Sequence, residues 1–329
     1  MALGLAACGG GSDAKSGGHA SKQPVVNVNY LTSFNTFGRD AYAYVAQEKG
    51  YFEEAGLKVD IKPGTGTVDV LKLIASGRAD FGIGDFTTTV ITAANESLPV
   101  TTTAMIHQSS LAAIISLEGQ GITKPADLEG KKIGDQPGST NQVMFPVYAR
   151  AAGIDASKVQ FVPGAPPALP QLLVAGQVDG IGQFVVGQPL IEKAAKGKKA
   201  VVLPYGDLVP DLYGNALVTS RKFASEKPDV VKRFNEALLK GLKYSIEHPD
   251  ETGTILKKYQ PTQDAQVAAA EVTAMASYVK PRSGAAGEIG SVDRDRVEKI
   301  VKLLVEAGSL KQSVPADDVV SFSLAPGAK

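Results

Sequence analysis

Apolar and polar positions first fall into register at Val25, where "VVNVNYL" (25–31) has the length and composition of a buried strand. The loop "SFNTFGRD" follows, and Asp40 is placed to cap "AYAYVAQEKG", whose Ala41, Tyr44 and Val45 share one face at helical spacing. "YFEEAGLKVDIKPG" predicts a short turn, a strand at 57–62 and a Pro-Gly stop. In "TVDVLKLIASG", Val68, Leu71 and Ile74 mark one side of a helix that Gly77 ends. A strand and its loop then begin inside "GRADFGIGDF".

The same order returns in the second hundred residues. "KKIGDQPGST" (131–140) predicts strand plus loop, "NQVMFPVYARAAG" a helix, and "SKVQFVPG" a strand whose end matches that of "LKVDIKPG". "LPQLLVAG" is a helix ending at Gly176, and "GQVDGIGQF" follows as the counterpart of "GRADFGIGDF". A βαβαβ unit is therefore used twice, too few copies for a stacked array. Strand–helix alternation implies α/β architecture, with mostly parallel sheets covered on both faces. The glycines of the two phrases would let a crossing backbone come close, and Asp85-Phe86 and Gln183-Phe184 would emerge at the carboxyl ends of strands, where open α/β sheets bind ligands. The other reading is that both phenylalanines belong to the core.

The remaining segments fit two lobes that exchange chain. "TTTAMIHQSSLAAIISLE" (101–118) is extended enough to cross from one lobe to the other, and "DLYGNALVTSRKF" (211–223) is the return. Lobe 1 is expected from 24–110 and 218–329, lobe 2 from 111–217, and a leader remnant and tether from 1–23. "SEKPDVVKRFNEALLKGLKYSIEHPD" predicts a strong helix with Ser225 as N-cap, Pro228 in the first turn, Val231, Phe234 and Leu238 inward, and Pro249 as its end. Further helices are expected at 263–278 and 293–307, the latter with Val297, Ile300, Val301 and Leu304 inward.

Composition narrows the function classes. Lys+Arg and Asp+Glu both total 34, so no bulk field favours nucleic acid or an anionic membrane. No apolar run approaches the length of a membrane span. The single cysteine excludes an internal disulfide, and with only three histidines there is no cysteine-rich metal site and no cofactor is expected. "LAAC" ahead of the Gly/Ser/Lys stretch "GGGSDAKSGGHASKQP" has the form of a bacterial lipobox and stalk, with Cys8 as the lipid-bearing residue. Too few residues precede Cys8 to form a whole signal peptide.

Candidate chemistry is that of binding. No G-x-S-x-G, H-E-x-x-H or G-x-x-x-x-G-K-[ST] occurs, and "GTGTVDV" lacks the phosphate-loop lysine. His107 lies among apolar residues in the crossing segment, and His248 stands at a helix end, where positive charge suits the dipole. "QPGST" precedes a helix, so Gly138 to Asn141 offer backbone N–H groups and Ser139 and Thr140 offer hydroxyls to an oxygen-bearing or anionic group. Ordinary N-capping by Ser139 or Thr140 explains the same residues. Opposite them, "TSFNTFGRD" supplies Ser33, Phe34, Asn35 and Phe37.

Through "YVAQEKGYFEEAGLKVDI", "LIASGRADFGIG", "DLEGKKIGDQPGST" and "GNALVTSRKFASEKPDVVKRFNEAL", the chain resembles the type II periplasmic solute-binding proteins of ABC importers. It is similar to the branch that binds nitrate, sulfonates and taurine, and thiamine pyrimidine precursors. The resemblance implies two lobes closing on a small-molecule solute. It also implies delivery to a permease by a monomeric, extracytoplasmic, lipid-anchored protein with no nucleic-acid partner. Carried over by position, the cleft takes Ser33, Phe34, Asn35, Phe37, Asp85, Phe86, Ser139, Thr140, Gln183, Phe184 and Tyr213. Synthases sharing the fold use a cysteine-rich motif and a histidine; here the lone cysteine is in the leader, which favours a binder over an enzyme. For the solute, a planar nitrogenous heterocycle suits the aromatic residues and an acceptor at Asp85. A sulfonate, taurine or nitrate anion suits the helix start at Ser139-Thr140 and Arg39 near the first loop. Asp85 in the same cleft favours the heterocycle.

Overall fold

The computed structural model describes residues 24–280 and 288–327. The Cys8 lipobox and its tether lie outside the described residues. The strands are β1 (Val26–Leu31), β2 (Phe34–Asn35), β3 (Leu57–Lys62), β4 (Gly64–Thr65), β5 (Phe81–Asp85) and β6 (Val100–Met105). They continue with β7 (Ala112–Leu117), β8 (Lys132–Asp135), β9 (Gln160–Pro163), β10 (Gly180–Phe184), β11 (Ala200–Pro204) and β12 (Asn215–Ser220). One sheet runs β3-β1-β5-β12-β6 and the other β11-β7-β10-β8-β9, while β2 and β4 pair separately.

The two large sheets have one plan. β3, β1 and β5 are parallel, and so are β9, β8 and β10. Beside the last of each trio lies one antiparallel strand, β12 in the first sheet and β7 in the second. These two strands come from the crossing segments. The chain leaves the first sheet at β6 and enters the second as β7, then leaves the second at β11 and returns as β12. The sequence expectation of mostly parallel sheets holds for each repeated unit. The exchanged strand is the exception, because it enters from the other half rather than over a covering helix.

Helices cover the sheets as their apolar faces require. Phe81 of β5 stacks on Phe234 of the helix Pro228–Glu247 with centroids 4.1 Å apart, and Phe52 and Tyr30 pack on the same ring at 5.4 and 5.7 Å. Val231 and Leu238 are fully buried on that helix, and so are Val297, Ile300 and Leu304 on the helix Arg294–Glu306, with Val301 nearly so. Ala41, Tyr44 and Val45 pack against Ile255, Leu256 and Ala268.

Several local expectations are corrected. Asp40 does not cap the helix Tyr42–Glu48 but closes a 3₁₀ turn, Gly38–Asp40, its carboxylate accepting from the N–H groups of Phe37 and Ser33 and from the Ser33 hydroxyl. Ser225 is not an N-cap; it sits inside a short helix, Arg221–Glu226, that Ser220 caps, and the chain restarts at Pro228. Pro249 both follows one helix and opens another, Pro249–Tyr259, because its missing N–H is harmless in a first turn. Val70 rather than Val68 fills the core side of the helix Thr67–Ala75. Gly82 and Gly84 admit side chains rather than backbone: a Cβ would lie 2.5 Å from Val70 Cγ1 at Gly82 and 2.9 Å from Thr67 Cγ2 at Gly84. In the second copy, a Cβ on Gly182 would lie 2.5 Å from the carboxyl carbon of Asp135.

Candidate functional site

Three strand ends and one helix start meet at one place. Past β1 come Ser33 and Phe34; past β8, Ser139 to Asn141; at the end of β10, Gln183 and Phe184; and Thr67 starts the helix ahead of β5. These residues, with Arg39, Gly66 and Gly182, line a small, half-enclosed cavity of about 20 Å³ between the two sheets. The position is the one at which open α/β sheets hold ligands, outside the carboxyl ends of their strands. The walls already touch. The hydroxyls of Thr67 and Thr140 are 3.1 Å apart, the Gln136 side-chain amide donates to the Thr65 carbonyl, and Arg39 packs on Phe184. The cleft stands closed.

Hydrogen bonds orient several of the polar groups in the wall. Ser139 caps the helix Thr140–Ala152, accepting from the Gln142 N–H at 3.1 Å and donating to Asp135 Oδ2 at 2.5 Å. Capping and cavity lining therefore coincide at this residue. The next two residues of the wall, Thr140 and Asn141, carry first-turn N–H groups at the positive end of the helix. Asn141 Oδ1 accepts from the Ala113 N–H at 3.0 Å, and Gln183 Oε1 accepts from the Phe184 N–H at 2.8 Å. Both side chains are thereby left with their NH₂ ends for a ligand. Ser33 donates to Asp40 Oδ1 at 3.1 Å. Arg39 is the cavity's cation, and none of the residues lining the cavity is a carboxylate. The wall is rich in donors.

Of the residues expected from sequence, Ser33, Phe34, Ser139, Thr140, Gln183 and Phe184 come together in this wall. Phe37 stands behind it, its ring 4.7 Å from the Arg39 guanidinium. Asn35, in a left-handed conformation, lines a neighbouring open groove with Pro63, Gln136 and Pro163. Asp85, Phe86 and Tyr213 lie outside the lining. The Asp85 carboxylate turns back to accept from the Thr88 N–H at 2.9 Å as a helix cap, and its own N–H donates to Thr67 Oγ1. Phe86 is fully buried and meets Tyr213 edge to face at 5.6 Å. The Tyr213 hydroxyl accepts from the Asp293 N–H, and its ring lies 3.7 Å from the Arg296 guanidinium. Thr67 and the Asn141 side chain were not singled out from sequence. The signal for them was the helix start after "GTG" and the residue following Ser139-Thr140.

His107 is buried, its Nδ1 accepting from the Asn215 N–H at 3.3 Å, and burial with the nearby Arg39 charge lowers its pKa to about 3. It stays neutral at physiological pH and is no proton carrier there. Among the described residues there is no group of three or more side chains able to hold a metal ion, and no helix long and apolar enough to cross a membrane.

Burial raises the carboxyls of Asp85, Asp135 and Glu271 to about 7 each. In the unfolded chain such groups titrate near 4. The folded state therefore binds more protons between those values, so their contribution favours folding at acidic pH and is lost as pH rises through 7. Each group contributes a slope of at most about 1.4 kcal/mol per pH unit. Urea denaturation at pH 5.5, 6.5 and 7.5 should give stability falling in that order, with a flatter trend in Glu271→Gln. A trend rising with pH would show these carboxyls ionised in the folded protein.

Comparison with known proteins gives the fold and the family. The chain superposes on the alkanesulfonate-binding protein from Xanthomonas axonopodis pv. citri with a TM-score of 0.71 and 15% identity, over 90% of this chain and 99% of that one. The shared fold is the periplasmic binding protein fold, which a Candida albicans protein superposing with a TM-score of 0.69 also has, and here it is two sheets joined by two crossovers. In sequence it is 27% identical over 282 residues, 85% of each chain, to the formylaminopyrimidine-binding protein of Halalkalibacterium halodurans. It is 26% identical over 246 residues, 71% of this chain and 72% of the other, to the 4-amino-5-hydroxymethyl-2-methylpyrimidine phosphate synthase of Candida albicans. Residues 40–252 match the NMT1/THI5-like family, and the chain belongs to it.

Proposed function

We propose that this protein is the extracytoplasmic solute-binding component of an ABC importer. Its solute would be a pyrimidine of the formylaminopyrimidine type, released unchanged rather than turned over. The observation that carries this is the donor-rich cavity at the meeting of two pseudo-repeated sheets, with the rings of Phe34 and Phe184 in its wall. A flat heterocycle offers faces to rings and lone pairs to donors. The relative from Halalkalibacterium halodurans, which spans most of the chain, is named for binding such a compound.

A binding role suits the chemistry of the wall. The hydroxyls of Ser33 and Ser139 are held by the buried carboxyls of Asp40 and Asp135 behind the wall, and the cavity lining itself holds no histidine and no cysteine. General acid–base catalysis uses a His, Asp, Glu, Lys, Tyr or Cys side chain at the reacting group, and none of these lines the cavity. A second reading, a sulfonate or nitrate anion, is favoured by Arg39 and the helix start at Thr140, and the alkanesulfonate-binding protein shares the fold. Lipid anchoring through Cys8, the lobe boundaries near residues 110 and 217, and a monomeric state complete the proposal.

A thermal-shift panel of formylated and unformylated aminopyrimidines, taurine, alkanesulfonates and nitrate decides the solute class. One pyrimidine should raise the melting temperature, with a stability gain of about 2.7 kcal/mol at a hundredfold excess over Kd. A response to anions alone would replace the pyrimidine reading with the second one. Consumption of the pyrimidine during incubation, followed by chromatography, would make the protein an enzyme.

A further inference from the structure

We infer that Arg39 is the specificity-determining residue of the cleft, accepting a solute through a formamide carbonyl and rejecting the same heterocycle when it carries a protonated amine. This rests on the pyrimidine reading above and adds which atoms of the solute are recognised.

Arg39 is only 1% exposed, yet it lines the cavity. Its guanidinium carbon lies 4.7 Å from the Phe37 ring and 4.9 Å from the Phe184 ring, so the loop of one sheet and the strand end of the other hold it from two sides. One terminal nitrogen donates to the Phe34 carbonyl at 3.1 Å. Its Nε forms a long ion pair with Asp40 Oδ2 at 3.7 Å and is buried without a hydrogen-bond partner. A guanidinium carries five N–H donors in one plane, and the contact to Phe34 uses one. Asp40, for its part, is engaged by Ser33 and Phe37.

The loop that presents Arg39 is fixed. The Gly38 N–H donates to Glu271 Oε2 at 2.7 Å, and a Cβ on Gly38 would lie 2.7 Å from Ala268 Cα. Arg39 is thereby positioned before a solute arrives, which removes part of the ordering cost of binding. Around it, Asn141 and Gln183 present NH₂ groups. No carboxylate in the lining could receive an ammonium group.

The chemistry follows from charge. An aminomethyl substituent is protonated near neutral pH, and in a closed cleft of low dielectric it would face the Arg39 guanidinium with no carboxylate in the lining to pair with, since Asp40 stands behind the wall beside Arg39. N-Formylation makes that nitrogen a non-basic amide. It removes the charge and adds a carbonyl oxygen, the acceptor that guanidinium and amide donors are suited to receive. One acyl group changes a rejected solute into an accepted one.

Calorimetry on the full chain at pH 7.5 tests this with an aminomethylpyrimidine and its N-formyl derivative. The wild type should prefer the formyl compound by about 100-fold. Arg39→Gln should reduce that preference to less than about fivefold, mainly by losing affinity for the formyl compound. A wild type that binds both equally, or an Arg39→Gln protein that keeps the full ratio, would overturn the role of Arg39 while leaving the pyrimidine reading intact. A wild type that binds neither compound would overturn the pyrimidine reading and this inference with it. Should Arg39→Gln fail to fold, Arg39→Lys keeps the charge without the planar fork. It should then bind the formyl compound about tenfold more weakly and still reject the amine, and undiminished affinity for the formyl compound would refute the assignment.

Discussion

Gly38→Ala should weaken the fold and the solute site together. Gly38 opens the 3₁₀ turn that carries Arg39, and its α-carbon lies against the backbone of Ala268 on the helix Ala265–Val279. A methyl group there would meet the Ala268 carbonyl oxygen, with Cα at 2.7 Å and the carbonyl carbon at 2.9 Å. All three are backbone atoms, so no side chain can rotate away; turn and helix must separate. Overpacking of this kind costs about 1–3 kcal/mol. The separation also strains the bond from the Gly38 N–H to Glu271 and carries Arg39 away from Phe184. Solute affinity should fall by about tenfold or more, since a displacement near 1 Å is enough to spoil a fixed donor. Equilibrium denaturation and calorimetry on the variant measure the two effects. Wild-type stability with wild-type affinity would show that the helix yields freely and that the turn does not hold the site.

Phe234→Ala should produce the largest loss of stability while sparing recognition. Its ring is fully buried, stacked on Phe81 of β5 and packed by Phe52 and Tyr30. Removing a buried phenyl ring costs about 3–5 kcal/mol, from lost transfer energy and from the cavity left behind. For a chain of this size that lowers the melting temperature by roughly 4–7 °C. Phe234 is absent from the cavity lining, so affinity measured well below the melting point should stay within about threefold of wild type. A variant that melts normally would show that the stack contributes little. One that folds but loses the solute would couple this core to the cleft.

The two substitutions show which features were legible in the sequence. The inward face of the helix Pro228–Glu247 could be read because apolar residues recur at helical period, and period alone sets which side chains share a face. Likewise the doubled phrases at Gly77 and Gly176 revealed two like units, of which the end of β10 lines the cavity and the end of β5 does not. Gly38 could not be read in this way. Its φ is not in the left-handed region, and only a helix more than two hundred residues later makes its missing side chain necessary.

The phrase pair also marks where similar lettering leads to different surroundings. Asp85 and Gln183 occupy equivalent ends of β5 and β10, yet Asp85 caps the helix Phe86–Glu96 while Gln183 lines the cavity. A carboxylate can satisfy an orphan N–H of the next turn, and Thr88 offers one. In the other copy, Gln183 accepts from the adjacent Phe184 N–H, which leaves its amide for the cleft. Phe86 and Phe184 part in the same way, one into the core against Tyr213 and the other onto Arg39.

By itself the sequence determined the alternation of strands and helices, their approximate ends and the doubling of the unit. All of these depend on period, on turn residues and on the chemistry of neighbours along the chain. Only the tertiary structure decided that Arg39 rather than Asp85 would be the charge in the cavity wall, and that the wall would present donors. That outcome depends on where each strand end faces: Asp85 turns to its own helix start at Thr88, whereas Arg39 meets Phe184 of the other sheet, a contact that exists only once the two sheets have come together.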